Sequence, residues 1–310
     1  MKRALVVGAA GQDGRILTEQ LLARGVEVVG IDRGVGEIDL LDRRVVDAFI
    51  ARTRADAIFY LAALHHSSED AHETDLADLL RQSTAVHVDA WVNVLEAARR
   101  HTPAARLFYA ASSHVFGAPA RAVQDEATPF APDSAYGITK AAGVHIARFF
   151  RARGLYVSSG ILYNHESPLR PARFVSQRIA QGAVLAAAAI EHGRAYTLEL
   201  GSLSAVVDWG WAADTTDAMQ RMLTGENAND YVVATGVPHT VADFCAAAFG
   251  AVGLDYRSYV TERPGRVTKQ LAGLVGDSTR LREATGWAPT ISFEDMVKRL
   301  VDAARTEKTP

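Results

Sequence analysis

Short runs of consecutive apolar residues alternate with helical periods through the first half of this chain, and that alternation most restricts its fold. Ala4-Leu-Val-Val7 is apolar throughout and stops at Gly8, as a strand buried on both faces would. Ile16, Leu17, Leu21 and Leu22 follow with helical spacing, up to Gly25 as a C-terminal cap. Val26–Ile31, Ala57–Ala62, Arg106–Ser112 and Val157–Tyr163 read as further strands. Helical segments are expected from about Asp75 to His101 and from Tyr136 to Arg153, the latter closed by Gly154. Strand and helix in strict alternation make right-handed βαβ units, hence an α/β fold with a doubly wound parallel sheet. Ligands of such sheets lie beyond the carboxyl ends of the strands.

After Tyr163 the rhythm changes. Pro168 and Pro171 interrupt a polar stretch, and Pro238, Pro264 and Pro289 punctuate mixed helices and short strands. This predicts a smaller C-terminal substrate-binding lobe, with part of the segment near Asp208 to Thr235 returning to the large sheet. The 310 residues carry 33 basic and 36 acidic side chains, a net charge of -3, so neither nucleic acid nor an anionic membrane is the expected partner. The apolar runs Gly182–Ile190 and Phe244–Leu254 reach only about half of the ~20 residues that span a bilayer. Cys245 is the lone cysteine and forms no internal disulfide, which suits a reducing cytoplasm.

Gly8-Ala-Ala-Gly11-Gln12-Asp13-Gly14 sits between the first strand and the first helix. Glycine permits a tight turn and a close backbone approach to a pyrophosphate, and the N–H groups and dipole of the next helix stabilise the anion. The spacing is G-x-x-G-x-x-G, in the place where a glycine pattern signals a Rossmann-type dinucleotide site. The second strand ends at Asp32, whose carboxylate is placed to accept hydrogen bonds from the adenosine ribose and to repel a 2′-phosphate. Arg33 beside it could instead welcome that phosphate; the balance favours NAD over NADP. Asp39 and Leu40 are expected near the adenine, at a third strand. Leu61, Ala62 and Ala63 give small residues under the pyrophosphate. Residues 1–163, with roughly 205–236, thus form the expected dinucleotide-binding domain, and 164–204 with 237–310 the substrate lobe.

Tyr136 and Lys140 form Y-x-x-x-K, one helical turn apart and on one face. Taking a hydroxyl proton while hydride leaves carbon calls for a phenolate, yet free tyrosine has a pKa of about 10. Lowering it by ~3 units needs about 4 kcal/mol, within reach of a nearby ammonium and a cationic nicotinamide in a partly dry site. The same Lys140 can hold the nicotinamide ribose. Ser112, at the end of a central strand, could bond the substrate hydroxyl and steady a developing oxyanion. His65 and His66 are adjacent, without metal-ligand spacing, and no zinc motif is present, so no metal is expected.

These residues resemble the extended short-chain dehydrogenase/reductase superfamily, with the nearest likeness to GDP-mannose 4,6-dehydratase-like enzymes. The strings that carry the resemblance span the chain: Gly11-Gln-Asp-Gly14, Ile161-Leu-Tyr-Asn-His-Glu-Ser-Pro168, Phe174-Val-Ser-Gln-Arg-Ile179, Asp208-Trp-Gly210, Ala234-Thr-Gly-Val237 and Gly276-Asp277. The resemblance implies that Asn164 contacts the sugar diphosphate, that His165 lies near the nicotinamide, and that Val175 and Arg178 line the nucleotide pocket. It also implies a homodimer or homotetramer. Departures accompany it. Family dehydratases carry Thr-x-Glu where this chain has Ser112-Ser113-His114, so the glutamate that removes the sugar C5 proton is replaced by His114. Ser113 is kept as a substrate contact. Val207 stands where relatives have arginine, Arg263 and Arg266 are both candidates for the later phosphate-binding arginine, and His87 replaces a helix asparagine.

An NAD-dependent enzyme acting on a nucleotide-diphosphate sugar, GDP-linked by the same resemblance, is therefore expected. It would oxidise C4 through Tyr136, Lys140 and Ser112. Without the glutamate, the net reaction leans to 4-epimerisation or keto-reduction, with 4,6-dehydration as the alternative. A non-catalytic dinucleotide-binding regulator is opposed by the intact Tyr-Lys pair, and a dehydrogenase of steroids or small carbonyls by the N-H-E-S-P string and the substrate lobe.

Overall fold

A computed structural model of the chain describes residues 1–32, 38–64, 75–263 and 273–306. Arg33, His65, His66 and Arg266 lie outside the described residues. The first βαβ unit runs β1 (Arg3–Val7), α1 (Gln12–Ala23) and β2 (Glu27–Ile31). Gly25 closes α1 at φ 74, a left-handed conformation that glycine takes without a Cβ penalty. Next come α2 (Arg43–Thr53), β3 (Ala57–Tyr60), α3 (Leu76–Thr84) and α4 (Ala90–His101). β4 (Arg106–Ser112), β5 (Val123–Gln124), α5 (Ala135–Arg151), β6 (Tyr156–Leu162) and β7 (Asn164–Glu166) complete the first half. The remainder holds α6 (Val175–Glu191), β8 (Leu198–Leu200), β9 (Val206–Trp211), α7 (Ala212–Arg221) and β10 (Asp230–Val233). It ends with β11 (Pro238–Thr240), α8 (Val241–Gly250), β12 (Val260–Glu262), β13 (Val275–Gly276), α9 (Thr279–Thr285) and α10 (Phe293–Thr306).

The large sheet has the order β10-β6-β4-β3-β1-β2, and every pair in it is parallel. The chain winds outward in both directions from β1 and β3, so the crevice for a ligand opens beyond Val7 and Tyr60. Apolar clusters cover both faces: Trp91, Leu95, Val144 and Tyr109 belong to one, and Leu17, Phe59, Phe108 and Met219 to the other. A third cluster, with Phe244, Phe249, Val297 and Leu300 among its members, joins α6, α8 and α10. β9 pairs with β7 and β11 in a separate three-stranded sheet, whereas β10 joins the large one.

Two expectations need correction. Residues 38–40 are not a third strand but lead into a turn. Asp39 accepts the Leu41 N–H, and Asp42 accepts the Arg44 and Val45 N–H groups as the N-cap of α2. Paired Asx bonds hold the backbone away from any ladder there. The helix expected from 75 to 101 is also not uniform, because Ala85–Asp89 is one π turn between α3 and α4.

Candidate active site

The three glycines of the first turn do different work. Gly8 has φ +93, and a Cβ on it would stand 2.8 Å from the Ala62 backbone nitrogen. A Cβ on Gly14 would stand 2.2 Å from the Gly8 carbonyl oxygen, so close packing of α1 on β1 forbids a side chain. Gly11 meets only the Gly8 oxygen, at 3.4 Å, and has an ordinary φ of -68. The protein does not need a glycine there; what the missing side chain leaves open is the cavity.

That cavity has a volume of about 910 Å³ and gathers most of the predicted site. Gly8, Gly11, Gln12, Asp13 and Gly14 form one wall, with Asp32, Asp39 and Leu40 at one end. Leu61, Ala62 and Ala63 lie beside them, and Ser112, His114, Tyr136 and Lys140 face in from β4 and α5. Asn164 and His165 come from β7. Asp32 accepts the Ala10 N–H at 2.8 Å, which ties the end of β2 to the glycine turn. Arg178, Val175, Ser113 and Arg263 are not on the cavity wall. Arg178 donates to the Glu199 carbonyl at 2.6 Å and Arg263 pairs with the Glu199 carboxylate at 2.9 Å, so both gather at β8. Ser113 is buried in the single 3-10 turn after β4.

Ser112 and Tyr136 face the same cavity, where the Ser112 hydroxyl favours the charged form of the phenol, and the His114 ring stands edge-on to Tyr136 at 5.6 Å. Lys140 is fully buried, donates to the Ala110 carbonyl at 2.7 Å, and lies 5.7 Å from the centre of the Tyr136 ring. Burial pushes the Tyr136 phenol up to about 12, against the smaller opposing effects of Ser112 and Arg170. Burial likewise brings the Lys140 amine down to about 7. The lowered phenol expected from the sequence is thus not achieved by the chain's own groups, because desolvation disfavours both charged forms.

His165 holds two acceptors at once. Its Nδ1 is 2.7 Å from the Tyr163 carbonyl and its Nε2 is 2.9 Å from the Asp13 carboxylate, so both nitrogens donate and the ring is an imidazolium. Burial lowers its pKa, but the attraction of Asp13 wins and the net direction is upward. Burial raises Asp13 in turn, and His165 with its hydrogen bonds carries it below the usual carboxylate value. Gln12 donates to the His165 carbonyl and accepts from Ser167, closing the same link.

The cavity also contains Arg170, Arg173 and Phe174, none of them anticipated as site residues. Arg170 packs its guanidinium 3.9 Å over the Phe174 ring, and its charge acts on Asp13, His165 and Tyr136. The available signal was two arginines in a proline-broken turn directly after N-H-E-S-P.

Residues 34–300 match the sequence profile of the family described as GDP-mannose 4,6 dehydratase. The chain belongs to that family. GDP-mannose 4,6 dehydratase 2 of Arabidopsis thaliana is 35% identical over an alignment that covers 97% of this chain and 86% of the relative. UDP-glucose 4-epimerase of Thermus thermophilus, solved in complex with NAD, is similar in fold with a TM-score of 0.81 at 24% identity, covering 98% of this chain and 99% of the other. dTDP-glucose 4,6-dehydratase of Bacillus anthracis str. Ames, also in complex with NAD, gives 0.81 at 17% identity over 99% and 98%. In this member of the GDP-mannose 4,6-dehydratase family, three of the strings that carried the resemblance meet at one buried carboxylate. Asp208 accepts the Thr235 N–H and hydroxyl, the Gly236 N–H and the Gly276 N–H. Their shared role is to join β9, the turn after β10, and β13.

Proposed function

We propose that the chain is an NAD-dependent enzyme that acts on a GDP-linked sugar through a 4-keto form, with net 4-epimerisation or keto-reduction. The observation that carries it is the convergence of Ser112, Tyr136 and Lys140 on a cavity that also contains the glycine turn and Asp32. The residues fit a dinucleotide: the bare Cα of Gly11 opens a place for a pyrophosphate at the N-terminus of α1, and Asp32 offers a carboxylate for the ribose. When bound, NAD supplies a reversible hydride acceptor and a positive charge. Tyr136 would take the C4 hydroxyl proton at its phenolic oxygen, Ser112 would orient that hydroxyl, and Lys140 would support the phenolate. Bringing the phenol from about 12 to neutrality takes roughly 7 kcal/mol beyond the help Arg170 already gives, so that work would fall to the Lys140 ammonium and the cofactor's charge.

The lean away from dehydration rests on the carboxylates. Among the described residues, those on the cavity wall are Asp13, Asp32 and Asp39, and each already accepts hydrogen bonds from the protein. None comes from the turn after β4, where His114 stands. A second reading, 4,6-dehydration with His114 as the C5 base, is favoured by that ring's position against Tyr136 and by the family. Incubation with GDP-mannose and related sugars in deuterated buffer decides between them. Epimerisation or reduction leaves C5 unlabelled, while a 4-keto-6-deoxy product would refute the lean. A Tyr136→Phe variant with unchanged turnover would refute catalysis by this site altogether.

The same reading takes residues 1–163 with roughly 205–236 as the dinucleotide domain, and the enzyme as a cytoplasmic homodimer or homotetramer. No described helix is long and apolar enough to cross a membrane. Light scattering of the purified chain checks the assembly.

A further inference from the structure

The π turn at Ala85–Asp89 is anchored, and it aims one side chain. Ala90 donates its N–H to the Ala85 carbonyl, five residues back, so one extra residue is accommodated in the turn. Two buried tyrosines hold the carbonyls in between. Tyr60, at the end of β3, donates to the Val86 carbonyl at 2.5 Å, and Tyr109, on β4, donates to the His87 carbonyl at 3.2 Å. Gly143 on α5 leaves the room for this, since a Cβ there would stand 2.0 Å from the Tyr109 hydroxyl. His87 is thereby turned inward and completely buried.

The hydrogen-bond direction through His87 is fixed by its neighbours. The Leu64 backbone N–H can only donate, and it lies 3.0 Å from Nε2, so Nε2 accepts and Nδ1 carries the hydrogen. Nδ1 stands 2.7 Å from the Thr139 hydroxyl, which in turn donates to the Ala135 carbonyl at 2.8 Å. The same ring meets Tyr136 edge-on at 5.4 Å. Leu64 directly follows Leu61, Ala62 and Ala63 on the cavity wall, and Ala62 is the residue that Gly8 approaches so closely. Thr139 lies between Tyr136 and Lys140 on α5.

We infer that His87, as a neutral imidazole, is a positioning residue that joins the turn at residues 61–64 to the helix carrying Tyr136 and Lys140. The inference rests on the dinucleotide-dependent function proposed above. Through its bonds to Leu64 and Thr139, His87 sets the turn under the dinucleotide against the helix that bears the acid–base pair. Losing the acceptor for Leu64 leaves a part-buried N–H without a partner, and dinucleotide binding must then restore the order of that turn.

Calorimetric titration with NAD tests this in the wild type and three variants. His87→Phe keeps a flat ring and loses both bonds, so NAD should bind roughly tenfold more weakly. His87→Gln places a carbonyl oxygen at the reach of Nε2 and should restore affinity to within about threefold of wild type. His87→Asn offers an amide only at the reach of Nδ1 and should remain as weak as His87→Phe. Amide hydrogen exchange should show Leu64 less protected in His87→Asn than in His87→Gln. If His87→Phe binds NAD as the wild type does, or if Gln and Asn behave alike at equal melting temperature, the inference is overturned while the function stands. A wild-type chain that binds no dinucleotide overturns both. Should a ring-less variant fail to fold, Thr139→Val removes the far bond, together with that hydroxyl's bonds to the Ala135 and Tyr136 carbonyls, and spares the bond to Leu64; it should leave NAD affinity within about threefold while loosening the first-turn amides of α5, and a normal exchange pattern there refutes the link.

Discussion

Replacing Lys140 by methionine should stabilise the fold and cripple the chemistry. Lys140 is buried with its amine brought down from 10.5 to about 7, so burial disfavours the ammonium by roughly 5 kcal/mol, at 1.36 kcal/mol per pH unit. Methionine fills much of the same volume without that charge, at the cost of about 1 kcal/mol for the lost bond to the Ala110 carbonyl. The sign follows from linkage. Between pH 7 and 10.5 the unfolded lysine holds more protons than the folded one, so wild-type stability rises with pH across that range, and below pH 7 the penalty is fully present. Urea unfolding of the free chains should therefore find Lys140→Met more stable by about 4 kcal/mol at pH 6, shrinking to about 1 kcal/mol at pH 9. Activity should move the other way. A full charge 5.7 Å from the Tyr136 ring, at an effective dielectric of about 20, stabilises a phenolate by about 3 kcal/mol, so turnover near neutrality should fall roughly a hundredfold. A variant no more stable than wild type at pH 6, or a stability gap that does not change with pH, would refute this account of the buried amine.

Other perturbations separate structure from ligand binding. Gly14→Ala should prevent folding or cost several kcal/mol, because its Cβ meets backbone at 2.2 Å, whereas Gly11→Ala should unfold like wild type yet lose NAD binding in a calorimeter. The Asp13–His165 pair contributes fully between the ordinary carboxylate and imidazole values; its contribution is lost as pH falls through the lowered Asp13 pKa or rises through the raised His165 pKa. The His165 ring proton followed by NMR should titrate above 6.5 in the wild type and below it in Asp13→Asn, where burial remains without the attraction; a wild-type midpoint at or below 6.5 contradicts the pairing. Asp208→Ala leaves three backbone N–H groups without their acceptor and should cost about 3–5 kcal/mol in urea unfolding, with no change in how the remaining folded protein binds NAD.

What a single element spaces was readable in the sequence, and what two elements bring together was not. The glycine turn, the end of β2 and the Tyr136–Lys140 spacing are each set within one strand, helix or turn, so pattern alone located them. The reversal of the expected Tyr136 shift was not readable, because it depends on how much protein surrounds the phenol. The π turn was hidden for the same reason: residues 75–101 carry an unbroken helical period, and its cause lies in Tyr60, Tyr109 and Gly143, on other elements.

Gln12, Asp13 and His165 show the point most sharply, because the sequence marked all three but not their dependence on one another. An acid in the first turn of α1 stabilises the helix, yet on the proposed function it places negative charge where a pyrophosphate would be held. Alone, Asp13 would oppose the anion that the glycine turn and the helix N-terminus attract. The His165 imidazolium at 2.9 Å and the nearby Arg170 cancel that charge, and Gln12 locks the geometry through Ser167 and the His165 carbonyl. Gly11-Gln-Asp-Gly14 and Asn164-His-Glu-Ser167 are therefore one device split across about 150 residues. Exchanging either string for a neutral glycine-rich turn or a strand without histidine should uncover a buried charge, whereas exchanging Asp13 and His165 together, as Asn and Gln, should lose far less than the two single changes combined.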